Sequence, residues 1–153
     1  MATATRQSKL PSLYDSDFNR WSEEQSRALA SRQTIGLDWD NLAEEIASLG
    51  RNDRREIESR LRTTLGHLLE WKYQPSSRSG SWAGTLVEQR EQIRKLIQES
   101  PSLKDYPAQV VDEQYKVAII KAAAESGIGE SSFPDRCPFT IDQILDVRFL
   151  PEP

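Results

Sequence analysis

His67 is the sole histidine of this 153-residue chain, and histidine is the side chain whose unperturbed pKa lies near neutrality, so proton transfer or ligation would start there. At 3.6 residues per turn, Arg60 falls two turns before His67 on the same helical flank. Glu45 borders the apolar face of the preceding helical stretch, whereas Glu44 points away from it. Arg78 sits in the RSGSW loop, where its planar fork and the free N–H groups of the next helix start suit an anion. Arg90, two turns beyond Trp82, could complete that grip. Glu45, Arg60, His67, Arg78 and Arg90 thus form a candidate polar site, with Trp71, Trp82 and Gln89 as its walls. Its chemistry would be small-ligand or anion binding, or hydrolysis with His67 as general base.

The same residues have a structural reading. Arg78 and Arg90 could instead bind Glu45 or helix C-terminal carbonyls and staple the helices. His67 could be a hydrogen-bonded side chain that Trp71 covers, and Trp21, Trp39, Trp71 and Trp82 could be core anchors. Gln25 and Gln89 lie within apolar stripes and could tie helices together or line a pocket. Spacing leaves both readings open.

Other chemistries find less support. A metal site needs three or four ligands, and the chain offers one histidine, one cysteine and carboxylates without HExxH or paired CxxC spacing. The best construction, His67 with Glu45 and Glu44, lacks the duplicated Glu-x-x-His pattern of di-metal bundles, so neither a metal nor a cofactor is expected. Cys137 precedes a proline in a turn and reads as a small packed side chain rather than a nucleophile. There is no P-loop, GxGxxG after a strand, GxSxG or helix-turn-helix signature.

Length and composition then bound the scaffold. A chain of 17.5 kDa, with 37% hydrophobic and 29% charged residues, fits one folded domain that needs no disulfide. The expected organisation is an N-terminal arm over residues 1–13 and a single helical domain over residues 14–153. A net charge of -4 argues against a general nucleic-acid binder, although residues 51–100 carry ten Lys and Arg against seven acids. The RNDRR run reads as a charged helix start. No apolar stretch is long enough for a membrane span and no secretory signal opens the chain, so the expected location is the cytoplasm.

Helical periodicity predicts the elements that must position these groups. Five segments show it and none of useful length shows strict alternation, so the fold class expected is all-α: an antiparallel bundle of about four main helices plus a short C-terminal helix. The first helix is expected over residues 16–33, with Asp15 or Ser16 as cap. The second starts behind Asp38 with Leu42, Ile46 and Leu49 together; Gly50 should weaken or kink it, and Asp53 with Glu56 resembles a capping box for a new start. Ile57, Leu61, Leu65, Leu68 and Trp71 form the following stripe, ended by Pro75. Ser79 or Ser81 caps a helix carrying Trp82, Leu86, Ile93, Leu96 and Ile97. Residues 107–126 form a helix, stopped by Gly127, that is apolar on two sides: Val111, Tyr115, Ala118 and Ala122 on one, Val110, Val117, Ile120 and Ala124 on the other. Thr140 and Gln143 make a capping box for the last helix, which should dock through Ile141, Ile144 and Leu145.

The pieces YDSDFNRW, LDWDNLAEEIASLGRNDRREIESRL, HLLEWKYQP, RSGSW, EQR, SPSLK, ESG and CPFTIDQILD, in that order, resemble the bacterial helical family catalogued as domain of unknown function 29. The resemblance covers residues 14–151 and implies a compact all-helical domain without an established activity. It carries over Glu44, Glu45, Arg51, Arg55, His67, Trp71, Arg78, Trp82, Arg90 and the Cys137-Pro138 pair. The family motif often reads Lys where Glu70 stands, so the resemblance does not carry Glu70 into a shared site.

The function expected is therefore a non-enzymatic helical module that acts through a protein partner or by self-association, motivated by the double apolar stripe of residues 107–124. The small-ligand or hydrolytic site is its competitor. Nucleic-acid binding through the basic middle segment is the third reading and predicts strongly salt-dependent association.

Overall fold

In the computed structural model, which describes residues 11–152, the chain is all-α, with four main helices, two short ones and no strand among the described residues. The helices are α1 (Leu13–Ser16), α2 (Phe18–Ala30), α3 (Trp39–Tyr73), α4 (Gly80–Glu99), α5 (Tyr106–Ser126) and α6 (Ile141–Leu145). Most of the expected arm, residues 1–10, lies outside the described residues, and Leu13 already begins α1. The chain divides into two compact units at Leu49 and Gly50, so the early part of α3 belongs to the first unit and the remainder to the second.

The N-terminal unit departs from the expected single helix over residues 16–33. Ser12 caps α1, and Asp17 interrupts the chain with a non-helical conformation (φ -153°, ψ 82°); its carboxylate accepts the Arg20 N–H at 3.0 Å, capping α2. The Asx cap satisfies an N–H that the new helix start leaves without an intrahelical partner. Trp21 is this unit's anchor: it is 4% exposed, its indole N–H donates to Asp38 at 3.1 Å, and Tyr14 and Phe18 pack their rings on it. Gln25 closes the turn behind it, donating to the Gly36 carbonyl at 3.3 Å and accepting the Asp38 N–H at 2.8 Å. Gly36 adopts φ of +88°, a left-handed backbone that favours glycine.

Helix α3 corrects the expected break at Gly50. It runs unbroken for 35 residues, and Asp53 and Glu56 lie inside it rather than forming a cap. A mid-helix glycine costs only about 1 kcal/mol relative to alanine. Burial of Ile57, Leu61 and Leu65 just beyond it outweighs that cost. A Cβ at Gly50 would meet nothing within 4 Å, so Gly50→Ala is expected to raise stability by about 0.5–1 kcal/mol in chemical denaturation. A destabilisation would show that the helix is bent there.

The second unit holds the main core. Leu61, Leu65, Leu68 and Leu69 of α3 meet Leu86 and Ile93 of α4, Tyr115, Ala118 and Ala122 of α5, and Ile144 of α6. Ser79 caps α4, accepting the Trp82 N–H at 3.3 Å, and Gly127 ends α5 at φ of +72°. The Thr140 and Gln143 capping box of α6 forms as expected, with bonds of 3.0 and 3.2 Å. Of the two stripes on α5, the Tyr115 side is buried, while Val117, Ile120 and Ala124 face outward.

Candidate functional site

Each of the five candidate polar residues holds its own partner. Glu45 lies in the N-terminal unit and accepts the Tyr14 hydroxyl at 2.5 Å; that bond pushes the Tyr14 phenol above its ordinary pKa, helped by burial and the nearby carboxylates. The other four lie in the second unit. Arg60 binds Glu56 along the same helix, at 2.7 and 3.0 Å, and donates to Gln89 of α4 at 3.2 Å, so Gln89 serves as an interhelix tie. Arg78 donates to the Trp71 carbonyl near the end of α3 at 2.7 Å and stacks its guanidinium 5.1 Å from that ring. Its Nη2 is buried with no partner.

Arg90 is the most enclosed of the set, at 1% exposure. Its fork donates to the carbonyls of Ile144 at 2.7 Å, Phe149 at 2.9 Å and Gln143 at 3.2 Å. Burial pulls the guanidinium below its ordinary pKa against the opposing pull of Asp146. Both arginines therefore bind helix-terminal carbonyls, one of the two structural arrangements weighed above.

His67 has the partner that the resemblance left out. Its Nδ1 lies 3.0 Å from Oε2 of Glu70, one turn along α3, and Glu70 is buried. Burial pushes the Glu70 carboxyl up, but the His67 hydrogen bond, the neighbouring Glu125 side chain and the charges of His67 and Lys121 more than offset it, holding the group below the ordinary carboxylate value. An ionised Glu70 only accepts, which makes Nδ1 the donor of this bond. Thr63, Gly66, His67 and Glu70 from α3 and Lys121, Ala122 and Glu125 from α5 line a cleft of about 170 Å³ here. The Trp82 ring stands 6.3 Å from the imidazole, but neither Trp82 nor Trp71 nor Gln89 lines this cleft. Glu70 was legible as His67's i+3 neighbour; Lys121 and Glu125, on another helix, had no local signal.

Acid stability should report this pair. A carboxylate depressed in the folded state contributes stability that is complete above its unfolded value, near 4.3, and is lost as pH falls through its folded value. Glu70→Gln is therefore expected to flatten the acid limb of the stability curve below about pH 4.3. Identical limbs in urea titrations of the two proteins would contradict this.

Among the described residues no group of three or more His, Cys, Asp or Glu is placed to hold a metal ion. A second cleft, of about 620 Å³, is lined by Asp112, Tyr115, Lys116, Asp135, Arg136 and Cys137. Its thiol and phenol are poor nucleophiles: burial pushes both Cys137 and Tyr115 up, and the Tyr115 hydroxyl is already spent on the Pro134 carbonyl at 2.6 Å.

The N-terminal unit offers a different surface. Phe18, Trp21 and Leu29 of α2 face Leu42, Ile46 and Leu49 of α3 across a groove of about 310 Å³. Ile46 is 69% and Leu49 67% exposed, and Phe18 and Leu29 are each about half exposed. Leu42, Ile46 and Leu49 share one apolar face in sequence; here Leu42 is half-buried, and Ile46 and Leu49 are open. No helix among the described residues is long and apolar enough to cross a membrane.

The family described as Domain of unknown function DUF29 matches residues 13–150. No curated protein and no solved structure matches the chain.

Proposed function

We propose that this chain, which belongs to the Domain of unknown function DUF29 family, is a protein-interaction module that presents the α2 and α3 groove of its N-terminal unit to a partner helix. The carrying observation is the open stripe of Ile46 and Leu49 opposite Phe18 and Leu29. Large apolar side chains left in water at adjacent positions on two helices mark a surface that gains free energy when covered. An amphipathic helix lays anchors at i, i+3 or i+4 and i+7 into such a groove. The hydrogen bonds of Trp21 and Gln25 hold the hairpin in shape beforehand, which lowers the ordering cost of binding.

A photo-reactive phenylalanine analogue placed at Ile46 in living cells tests this reading, with Ala47, exposed and outside the groove, as control position. A discrete protein adduct is expected at 46, absent at 47 and lost on adding Leu49→Gln. Equal labelling at both positions would reject the groove.

A second reading rests on the His67 and Glu70 pair. With Nδ1 donating to the Glu70 carboxylate, Nε2 is the ring atom left to exchange a proton with a small ligand in the adjoining cleft. Nitrogen-15 spectra of His67 during titration with acetate, phosphate and ethylamine check it. Spectra that none of the three changes would remove that reading.

A further inference from the structure

Taking the groove reading as its basis, we infer that the partner segment is a basic amphipathic helix of another protein rather than a second copy of this chain. The open stripe alone selects no occupant, since two hairpins of this kind could pair with each other into a four-helix arrangement. Charge decides between the two. Residues 11–49 carry eight carboxylates against three arginines and no lysine. Arg20 pairs with Glu24 at 3.0 Å, which removes one charge of each sign and leaves the acidic excess unchanged.

The charged side chain that lines the groove itself is a carboxylate, Glu45, with one oxygen on the Tyr14 hydroxyl. Asp38 is likewise anionic: the Asn41 side-chain bond, opposed by burial and joined by bonds from the Trp21 indole and the Asn41 backbone, holds it below the ordinary carboxylate value. Two such hairpins brought face to face would crowd like charges around a common apolar seam, and like-charge juxtaposition disfavours a partner. A helix with leucine-type anchors on one face and lysine or arginine beside them meets the same groove with opposite sign. Its apolar face fills the space between Phe18, Leu29, Ile46 and Leu49, and its flanking cations face Glu45. The attraction also speeds encounter and makes association sensitive to salt.

Calorimetric titration of the full chain with two synthetic 16-residue helical peptides tests the inference. Both carry the same leucine stripe; one has lysine flanks and the other glutamate flanks. The lysine peptide is expected to bind at least tenfold more tightly than the glutamate peptide, and to weaken at least tenfold with Ile46→Gln and about threefold with Glu45→Gln. Raising salt should weaken it further. Equal affinity for the two peptides would overturn the charge inference while leaving the groove in place. Binding of neither, or lysine-peptide binding indifferent to Ile46→Gln, would overturn the groove reading and this inference with it. Light scattering that shows a dimer dissolved by Ile46→Gln would assign the groove to a second copy and overturn the inference alone.

Discussion

Arg90→Met is expected to lower stability by about 3–5 kcal/mol in chemical denaturation, a loss reserved for breaking a buried charged network. Methionine preserves much of the volume of the arginine stem and removes the fork. Three carbonyls, that of Ile144 in a buried bond and those of Gln143 and Phe149 in part-buried ones, then lose their donors. Two of them belong to the last turn of α6, where no backbone N–H is available within the helix. Each unpaired carbonyl costs about 1–3 kcal/mol, and the loss of the cation at the negative end of the helix adds to it. With five residues α6 cannot hold itself, so Arg90 and the core contact of Ile144 must do so. Hydrogen exchange should therefore accelerate first at Ile144 and Asp146, whose amides close the helix. Arg90→Lys should recover less than half of the loss, because one ammonium cannot span three carbonyls as a planar guanidinium does. A loss under about 1 kcal/mol for Arg90→Met, with amide protection of α6 unchanged, would show that this bond set carries little.

The helices were legible because their apolar residues recur at helical spacing and their caps are local: Ser79 before α4, Gly127 after α5 and the Thr140 and Gln143 box are each written within a few residues. The continuity of α3 through Gly50 was not, since a weak local penalty competes there with burial of side chains whose partners lie on other helices. The same divide runs through the polar residues. His67 and Glu70 are neighbours by spacing alone, but the cleft around them needs Lys121 and Glu125, brought in by tertiary packing. Arg90's acceptors are main-chain carbonyls, which every residue possesses and which therefore leave no mark in a sequence. Arg62 on α3 likewise reaches Gln114 of α5 at 2.9 Å, a tie with no local signal. For the groove, the stripe of Leu42, Ile46 and Leu49 was visible as apolar, yet periodicity records only that a face is apolar, and whether anything covers it is settled by the rest of the chain.

Trp21→Ala is expected to remove about 3–5 kcal/mol from the N-terminal unit, the range for truncating a buried aromatic. The effect should be local. Among the described residues before Gly50, Trp21 is the sole large apolar side chain that is buried, whereas the second unit has a core of leucines, isoleucines and aromatics independent of it. Removing the indole also leaves Asp38 without one donor and takes away the surface on which Tyr14 and Phe18 pack. A hairpin with so small a core has little else to hold it, so amides of α2 should lose their exchange protection while those around Leu61 to Leu69 keep theirs. Trp21→Phe keeps an aromatic surface and should recover most of the protection, lacking about 1 kcal/mol for the indole hydrogen bond. The lysine-flanked peptide should fail to bind Trp21→Ala and bind Trp21→Phe, because Phe18 and Leu29 line the groove only while α2 stays folded. Undiminished exchange protection of α2 in Trp21→Ala would mean that the wall of the groove is held by something other than this ring.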